Sequence, residues 1–289
     1  MKKNVIIMIA ILLGIYFIFK VFNMNAEYFP EKLYFQALKA EEQIIADPDA
    51  ATRKMMDRVE LKLTRILQLF PNSEVARKAD VRLGEFYIRS KRYGLAIAHL
   101  DKVIQKLERD RERLAMAYYL KGAACEKEDR WTDALRQYRV VRDNYSDTQI
   151  GLQIPLHIWS YYVVNGREEE ARQAYDDAIK FYKRIESENS DKPLGFMASL
   201  FLIRAYGMAD DSDAAVAAIE EHINKYYSPA TVGRIVPLIE TVVVNRFKNP
   251  AKAVEIYTSI LEKTKDPKLT ALLEKKIKEL SDTIPTATQ

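Results

Sequence analysis

Cysteine is nearly absent: Cys125 is the only one in 289 residues, which excludes an intrachain disulfide framework and any metal site built from several thiolates. Glycine and proline are scarce as well, nine and ten residues, about 7 % of the chain against a usual share near 12 %. Short strands joined by tight turns need more of both, so a β-sandwich or barrel is disfavoured. The three histidines, His99, His157 and His222, lie far apart, and none is paired at a metal-ligand spacing. No glycine-rich phosphate loop, nucleophile elbow or HExxH sequence occurs. No enzyme activity, metal, cofactor or small-molecule substrate is therefore expected.

A strong charge of one sign is missing too. The net charge is +4, but the first 22 residues carry Lys2, Lys3 and Lys20 and no acid, so the remainder is close to neutral at +1. Nucleic acid needs clustered Lys and Arg with interleaved aromatics, and the 17 tyrosines recur instead at packing positions, so no nucleic-acid partner is expected.

What is present begins with a long apolar run. Val5 to Phe19 contains no charged or strongly polar side chain, and Val21 and Phe22 extend the run past Lys20. As a helix, residues 5–22 reach about 27 Å, close to the hydrocarbon thickness of a bilayer. The run's Val, Ile, Leu and Phe side chains favour insertion by about 4 to 8 kcal/mol, while Lys20, near one end, can snorkel to the interface. Lys2 and Lys3 precede the run and Glu27 and Glu31 follow it, which places residues 1–4 in the cytoplasm and the rest outside. The expectation is a single-pass anchor in the cytoplasmic membrane with a periplasmic or extracellular domain. The alternative is a signal peptide cut after Ala26, where Met24 occupies the position that wants a small residue.

Downstream, a small residue is followed four positions later by a large apolar one: Ala96 and Leu100, Ala134 and Tyr138, Ala171 and Tyr175, Ala215 and Ile219, Ala253 and Tyr257. The alanines are 38, 37, 44 and 38 residues apart. Regular spacing of that length predicts stacked helix pairs, each burying a face that it cannot cover alone. Upstream of each alanine lies a second amphipathic stretch, bearing Leu83, Gly84 and Tyr87, then Gly122, then Trp159 and Tyr162, then Tyr206. A further pair is predicted over 29–46 and 52–69, separated by Asp47-Pro48-Asp49 and closed by Phe70-Pro71-Asn72-Ser73, with Ser73 capping the next helix. The acids Glu168 to Glu170 and Asp210, Asp211 and Asp213 fit helix N-termini better than calcium loops.

These residues resemble the tetratricopeptide repeat, a 34-residue unit with Leu-Gly and Tyr on helix A and with Ala and a large apolar residue on helix B. The match is carried by Leu83, Gly84, Tyr87, Tyr93, Ala96 and Leu100, and again by Gly122, Trp131, Ala134 and Tyr138. Gly84 and Gly122 would let helix B approach helix A closely. Later units depart from the pattern, with Trp159, Ile203 and Thr241 where the small residue belongs. The phrase from Phe70 to Tyr87 is similar to the bacterial envelope branch of the family, which includes an outer-membrane assembly lipoprotein and a membrane-anchored ancillary subunit of the Sec translocon. The lipoprotein's lipid-bearing cysteine is missing here; the anchored subunit's order of one spanning helix and then repeats is shared.

The expected architecture is all-α: an N-terminal transmembrane helix over 5–22, then a tetratricopeptide-like α-α solenoid of about five to six helical hairpins. A degenerate first hairpin occupies 23–73, repeats 74–265, a capping helix 266–281 and a disordered tail 282–289. The resemblance implies a concave face lined by helix A residues and a protein or peptide partner bound there. Counted from the small position, the lining comprises Val81 and Glu85, Met116 and Tyr119, Gln153, Leu156 and Ser160, Met197, Leu200 and Arg204, and Ile235 and Leu238. The functional expectation is a membrane-anchored scaffold for protein–protein interaction, or alternatively a chaperone-like accessory in secretion or outer-membrane assembly.

Overall fold

The computed structural model describes residues 13, 14, 16, 28–107 and 110–284. All but three residues of the apolar run at 5–22, and 285–289 of the expected tail, lie outside the described residues. Among the described residues no helix is long and apolar enough to cross a membrane.

The described chain is helical and contains no strand. It divides into two compact units, one through Ile150 and one from Gly151 onward. The first contains α1 (28–46), α2 (Arg53–Leu69), α3 (Glu74–Arg89), α4 (Tyr93–Lys106), α5 (Arg111–Lys127) and α6 (Trp131–Asn144). The second contains α7 (Gln149–Val164, which starts just before the division), α8 (Glu168–Glu188), α9 (Pro193–Met208), α10 (Ser212–Tyr226), α11 (Pro229–Ile239), α12 (Pro250–Lys263) and α13 (Pro267–Ser281). Helix α11 runs on into a π-helical turn over Glu240–Arg246.

Helix starts follow local chemistry. Ser73 caps α3 by accepting from the Ala76 N–H at 3.0 Å, and Asp211 and Asp266 accept from Ala214 and Leu269 at 3.1 and 2.8 Å. Each satisfies an N–H that the helix leaves without an internal partner. Glu168, Glu169 and Glu170 fill the first turn of α8, where the helix dipole favours negative charge.

Each hairpin from α3–α4 onward reverses through one residue in left-handed backbone: Lys91, Asp129, Gly166, Asp210 and Lys248, with φ of 59, 59, 65, 58 and 53°. Each lies five positions before one of the repeating alanines, so the turns recur at the alanine spacing. In the first four, the next residue's N–H reaches back five positions, from Arg92 to Tyr87, Arg130 to Cys125, Arg167 to Tyr162 and Asp211 to Tyr206, at 2.8 to 3.0 Å. These bonds satisfy carbonyls at the helix end. In the fifth, Asn249 reaches back six, to Val243 at 3.0 Å. One extra residue has entered the ladder ahead of that turn, and the π-helical segment is where it is absorbed. It follows Pro237, which has no N–H to give the preceding turn.

The core of the first unit gathers Ala37 of α1, Val59, Leu63 and Ile66 of α2, Ala79, Leu83 and Phe86 of α3, and Ala96, Leu100 and Val103 of α4. In the second unit Ile219 and Ile223, Val232 and Ile239, Ala253 and Tyr257, and Leu269 and Leu273 form one cluster through α13. Helix α13, over the span expected to cap the array, buries Leu269, Leu273 and Leu280 and leaves most of its polar residues outward. Cys125 is 2 % exposed and packs as a small apolar residue, its thiol pushed up by burial.

Candidate partner-binding surface

The inner surface of a helix pair is set by how close its helices come. In α3–α4 a Cβ on Gly84 would lie 2.6 Å from Leu100 Cδ2, and in α5–α6 one on Gly122 would lie 2.6 Å from Tyr138 Cε1. Both alanines facing these helices, Ala96 and Ala134, are fully buried. The two glycines thus permit the close helix approach expected of them. In α7–α8 the small residue is replaced by Trp159, whose ring packs on Tyr175 with centroids 5.6 Å apart. Tyr182 ties the same pair together by donating its hydroxyl to the Leu152 carbonyl at 2.7 Å.

In the first unit, the residues expected on the inner face are half-buried: Val81, Glu85, Met116 and Tyr119. Tyr119 lies beside Tyr138, centroids 6.0 Å apart, and burial raises its hydroxyl pKa. Glu85 belongs to a charge network that the sequence did not announce. Arg82 donates to Glu85 at 2.8 Å and to Glu41 of α1 at 2.8 Å, Arg89 pairs with Glu85, and Arg89 lies 3.2 Å from Glu41. Glu41 is 2 % exposed. So α1 is joined to α3 by the two arginines that Glu41 and Glu85 share, and the Glu85 carboxylate helps to hold those arginines in place.

In the second unit Gln153 and Arg204 are exposed, and Ser160, Met197, Leu200 and Leu238 are half-buried. Arg204 lies over the ring of Phe201, 5.5 Å from its centroid. Two expected lining residues are buried instead: Leu156 is 6 % exposed and Ile235 is 1 % exposed. Helix α7 explains the first. Leu152, Ile154, Pro155, Ile158 and Trp159 are all buried beside Leu156, and a helix apolar nearly all round has little face to offer.

The π-helical residue explains the second. Counting twelve back from Ala253 makes Thr241 the small position, but the bond from Asn249 to Val243 puts Glu240 in register with Gly84 and Gly122. Shifted by one, the inner positions become Arg234, Pro237 and Thr241, all exposed, while Ile235 and Val242 turn into the core. A close approach missed from sequence lies beside it: a Cβ on Gly207 of α9 would meet Val242 Cγ1 at 2.9 Å.

The histidines occupy separate places. His99 has its Nε2 2.8 Å from the Asp80 carbonyl, His157 is half-buried on α7, and His222 is buried with Nδ1 2.9 Å from Ser199 Oγ. Desolvation lowers the His222 pKa to about 4. Among the described residues no three His, Cys, Asp or Glu side chains are grouped to hold a metal ion.

No protein-family model matches the chain, and no curated protein matches it. Among solved structures, BtubC (BKLC) from P. vanneervenii is similar at 13 % identity over 91 % of this chain and 95 % of its own, with a TM-score of 0.36. A tetratricopeptide repeat protein from Parabacteroides merdae is similar at 13 % identity over 86 % of this chain and 99 % of its own, with a TM-score of 0.31. What the described residues themselves establish is a set of helical hairpins without strands, five of which reverse through a residue in left-handed backbone.

Proposed function

We propose that the chain is a membrane-anchored, tetratricopeptide-like scaffold that holds a protein or peptide partner against the helix A faces of its hairpins, on the extracytoplasmic side. One observation carries this reading. Along α5 and α9, apolar side chains at the expected inner positions, Met116, Tyr119, Met197 and Leu200, stay half-buried after the hairpins close, with Gln153 and Arg204 exposed on α7 and α9. In each unit by itself, a flexible thioether beside an aromatic or aliphatic side chain suits an amphipathic segment of a partner. The apolar run at 5–22 supports the anchor, and confinement to a membrane raises the effective concentration of any partner held there. The envelope branch of the repeat family offers the same order of parts.

The test is photo-crosslinking in native membranes from a crosslinking residue placed at Gln153 or Arg204, both exposed, followed by mass spectrometry. One dominant partner supports the scaffold, and many unrelated unfolded clients support the chaperone-like alternative. No adduct from either position, while one forms from an outward position such as Glu220, sinks the inner-face reading.

A further inference from the structure

Among the described residues, the face of the first hairpin between α1 and α2 is uncovered and chemically distinct. Helices α1 and α2 enclose a shallow groove of about 380 Å³ with Leu33 and Leu61 in its lining, and with Lys39, Arg58, Lys62 and Arg65 around it. Among the described residues no carboxylate lines it. Leu61 is 66 % exposed. Lys62 donates to Gln36 across the groove at 2.8 Å. Among the described residues Lys39, Arg58 and Arg65 make no ion pair, although Glu42 and Asp57 lie three and one positions from Lys39 and Arg58 in sequence. The same stripe of α1 carries Tyr28, Lys32 and Phe35, exposed by 59 % and 66 % for the two aromatics.

The occupant is indicated by what precedes α1. Five residues, 23–27, separate the apolar run ending at Phe22 from Tyr28. Fully extended at about 3.3 to 3.6 Å per residue, that link reaches only about 20 Å. Whatever holds residues 5–22 thus holds the first hairpin within that distance. Exposed aromatics beside an apolar span belong at the level of lipid headgroups, and unpaired cations around an exposed leucine match an anionic bilayer surface.

We propose that the α1–α2 face docks onto an anionic phospholipid membrane, with Leu61 and Phe35 entering the interface and Lys39, Arg58 and Arg65 meeting lipid phosphates. This rests on the membrane-anchor reading above. Docking would fix the orientation of the first hairpin relative to the bilayer.

The experiment uses the full chain in proteoliposomes. A fluorophore is attached at Leu61→Cys in a Cys125→Ala background, with Lys127→Cys, an exposed site of the same unit, as the reference. In phosphatidylglycerol/phosphatidylcholine vesicles the label at 61 is expected to shift blue and to be quenched by a lipid-borne quencher, and the label at 127 is not. Lys39→Gln, Arg58→Gln and Arg65→Gln together should lower the docked-to-free ratio tenfold or more, about fivefold being due to each cation near an anionic surface. Circular dichroism of that variant checks its fold. Equal, water-like signals at 61 and 127 in vesicles that retain the protein overturn the docking. Failure of the protein to float with any vesicle overturns the anchor instead. Quenching at 61 that is the same in pure phosphatidylcholine and indifferent to the substitutions overturns the role of the cations.

Discussion

Gly122 of α5 faces the ring of Tyr138 on α6 so closely that a Cβ at 122 would lie 2.6 Å from Cε1 and 2.9 Å from Cδ1. The ring cannot swing away: Tyr138 is fully buried and its hydroxyl donates to Glu126 at 2.7 Å, so burial and the carboxylate both hold the phenol protonated far above its usual range. Gly122→Ala should therefore destabilise the first unit by about 1 to 3 kcal/mol, the usual cost of overpacking a filled core. Pairing it with Tyr138→Leu should recover part of that loss, because the two sites are in contact and do not add. Denaturant unfolding of the four proteins in the cycle checks this; an additive result would place the strain elsewhere.

His222 supplies a pH dependence of known sign. Its ring is 2 % exposed, its Nε2 has no hydrogen-bond partner among the described residues, and Phe196 and Tyr226 pack against it with centroids 4.8 and 5.1 Å away. Burial first, and Lys225 second, depress its pKa from 6.5 to about 4. The unfolded chain thus binds a proton that the folded chain refuses. Stability is unaffected above about pH 6.5 and falls as the pH drops toward 4, by on the order of 3 kcal/mol, since each tenfold loss of proton affinity is worth about 1.4 kcal/mol. Replacing the imidazole in His222→Gln should flatten the difference between unfolding free energies at pH 7 and pH 4.5 relative to the parent. Parallel curves for the two proteins would remove His222 as the source.

The register of α11 makes adjacent residues behave in opposite ways. Ile235 is 1 % exposed, whereas its neighbour Arg234 is exposed. Ile235→Ala should cost about 2 to 4 kcal/mol through the cavity it leaves, and Arg234→Ala should change stability by less than about 0.5 kcal/mol. Thermal unfolding of the two variants distinguishes this register from an uninterrupted helix, in which Ile235→Ala would also cost little.

Glu41 joins α1 to α3 through Arg82 and Arg89. Removing its carboxylate in Glu41→Ala should cost about 1 to 2 kcal/mol, below the cost of stranding a buried charge, because both guanidinium groups are part-exposed and keep Glu85 as a partner. Hydrogen exchange should show the loss as faster opening of α1, with α5 and α6 unchanged. Equal acceleration throughout the unit would mean that the first hairpin opens only with the rest.

Much of the architecture was legible because its causes are short-range in sequence. Alanine at a fixed spacing, glycine twelve residues earlier, and capping residues such as Ser73 and Asp266 each act within one hairpin, so spacing alone located α3 through α6. The inner surface was less legible. A one-residue register change at Glu240–Arg246 leaves no mark in composition, and it exchanged Ile235 for Arg234. Pro237 was the available signal, since a proline inside an apolar helix warns of a broken ladder. Leu156 was misplaced for another reason: the period of α7 is blurred by apolar residues on nearly every side. The Glu41 network joins positions 41 residues apart, beyond the reach of any local pattern.

The π-helical turn also bears on how such an array changes length. A codon gained within a hairpin would ordinarily skew every contact beyond it. Here the surplus residue is confined to a single coil of α11, and the reversal at Lys248 keeps its left-handed conformation, with Ala253 still buried five positions on. Small insertions at this point are therefore survivable, and they rotate which side chains a hairpin presents while its neighbours keep theirs. That gives evolution a way to respecify one stretch of the surface at a time.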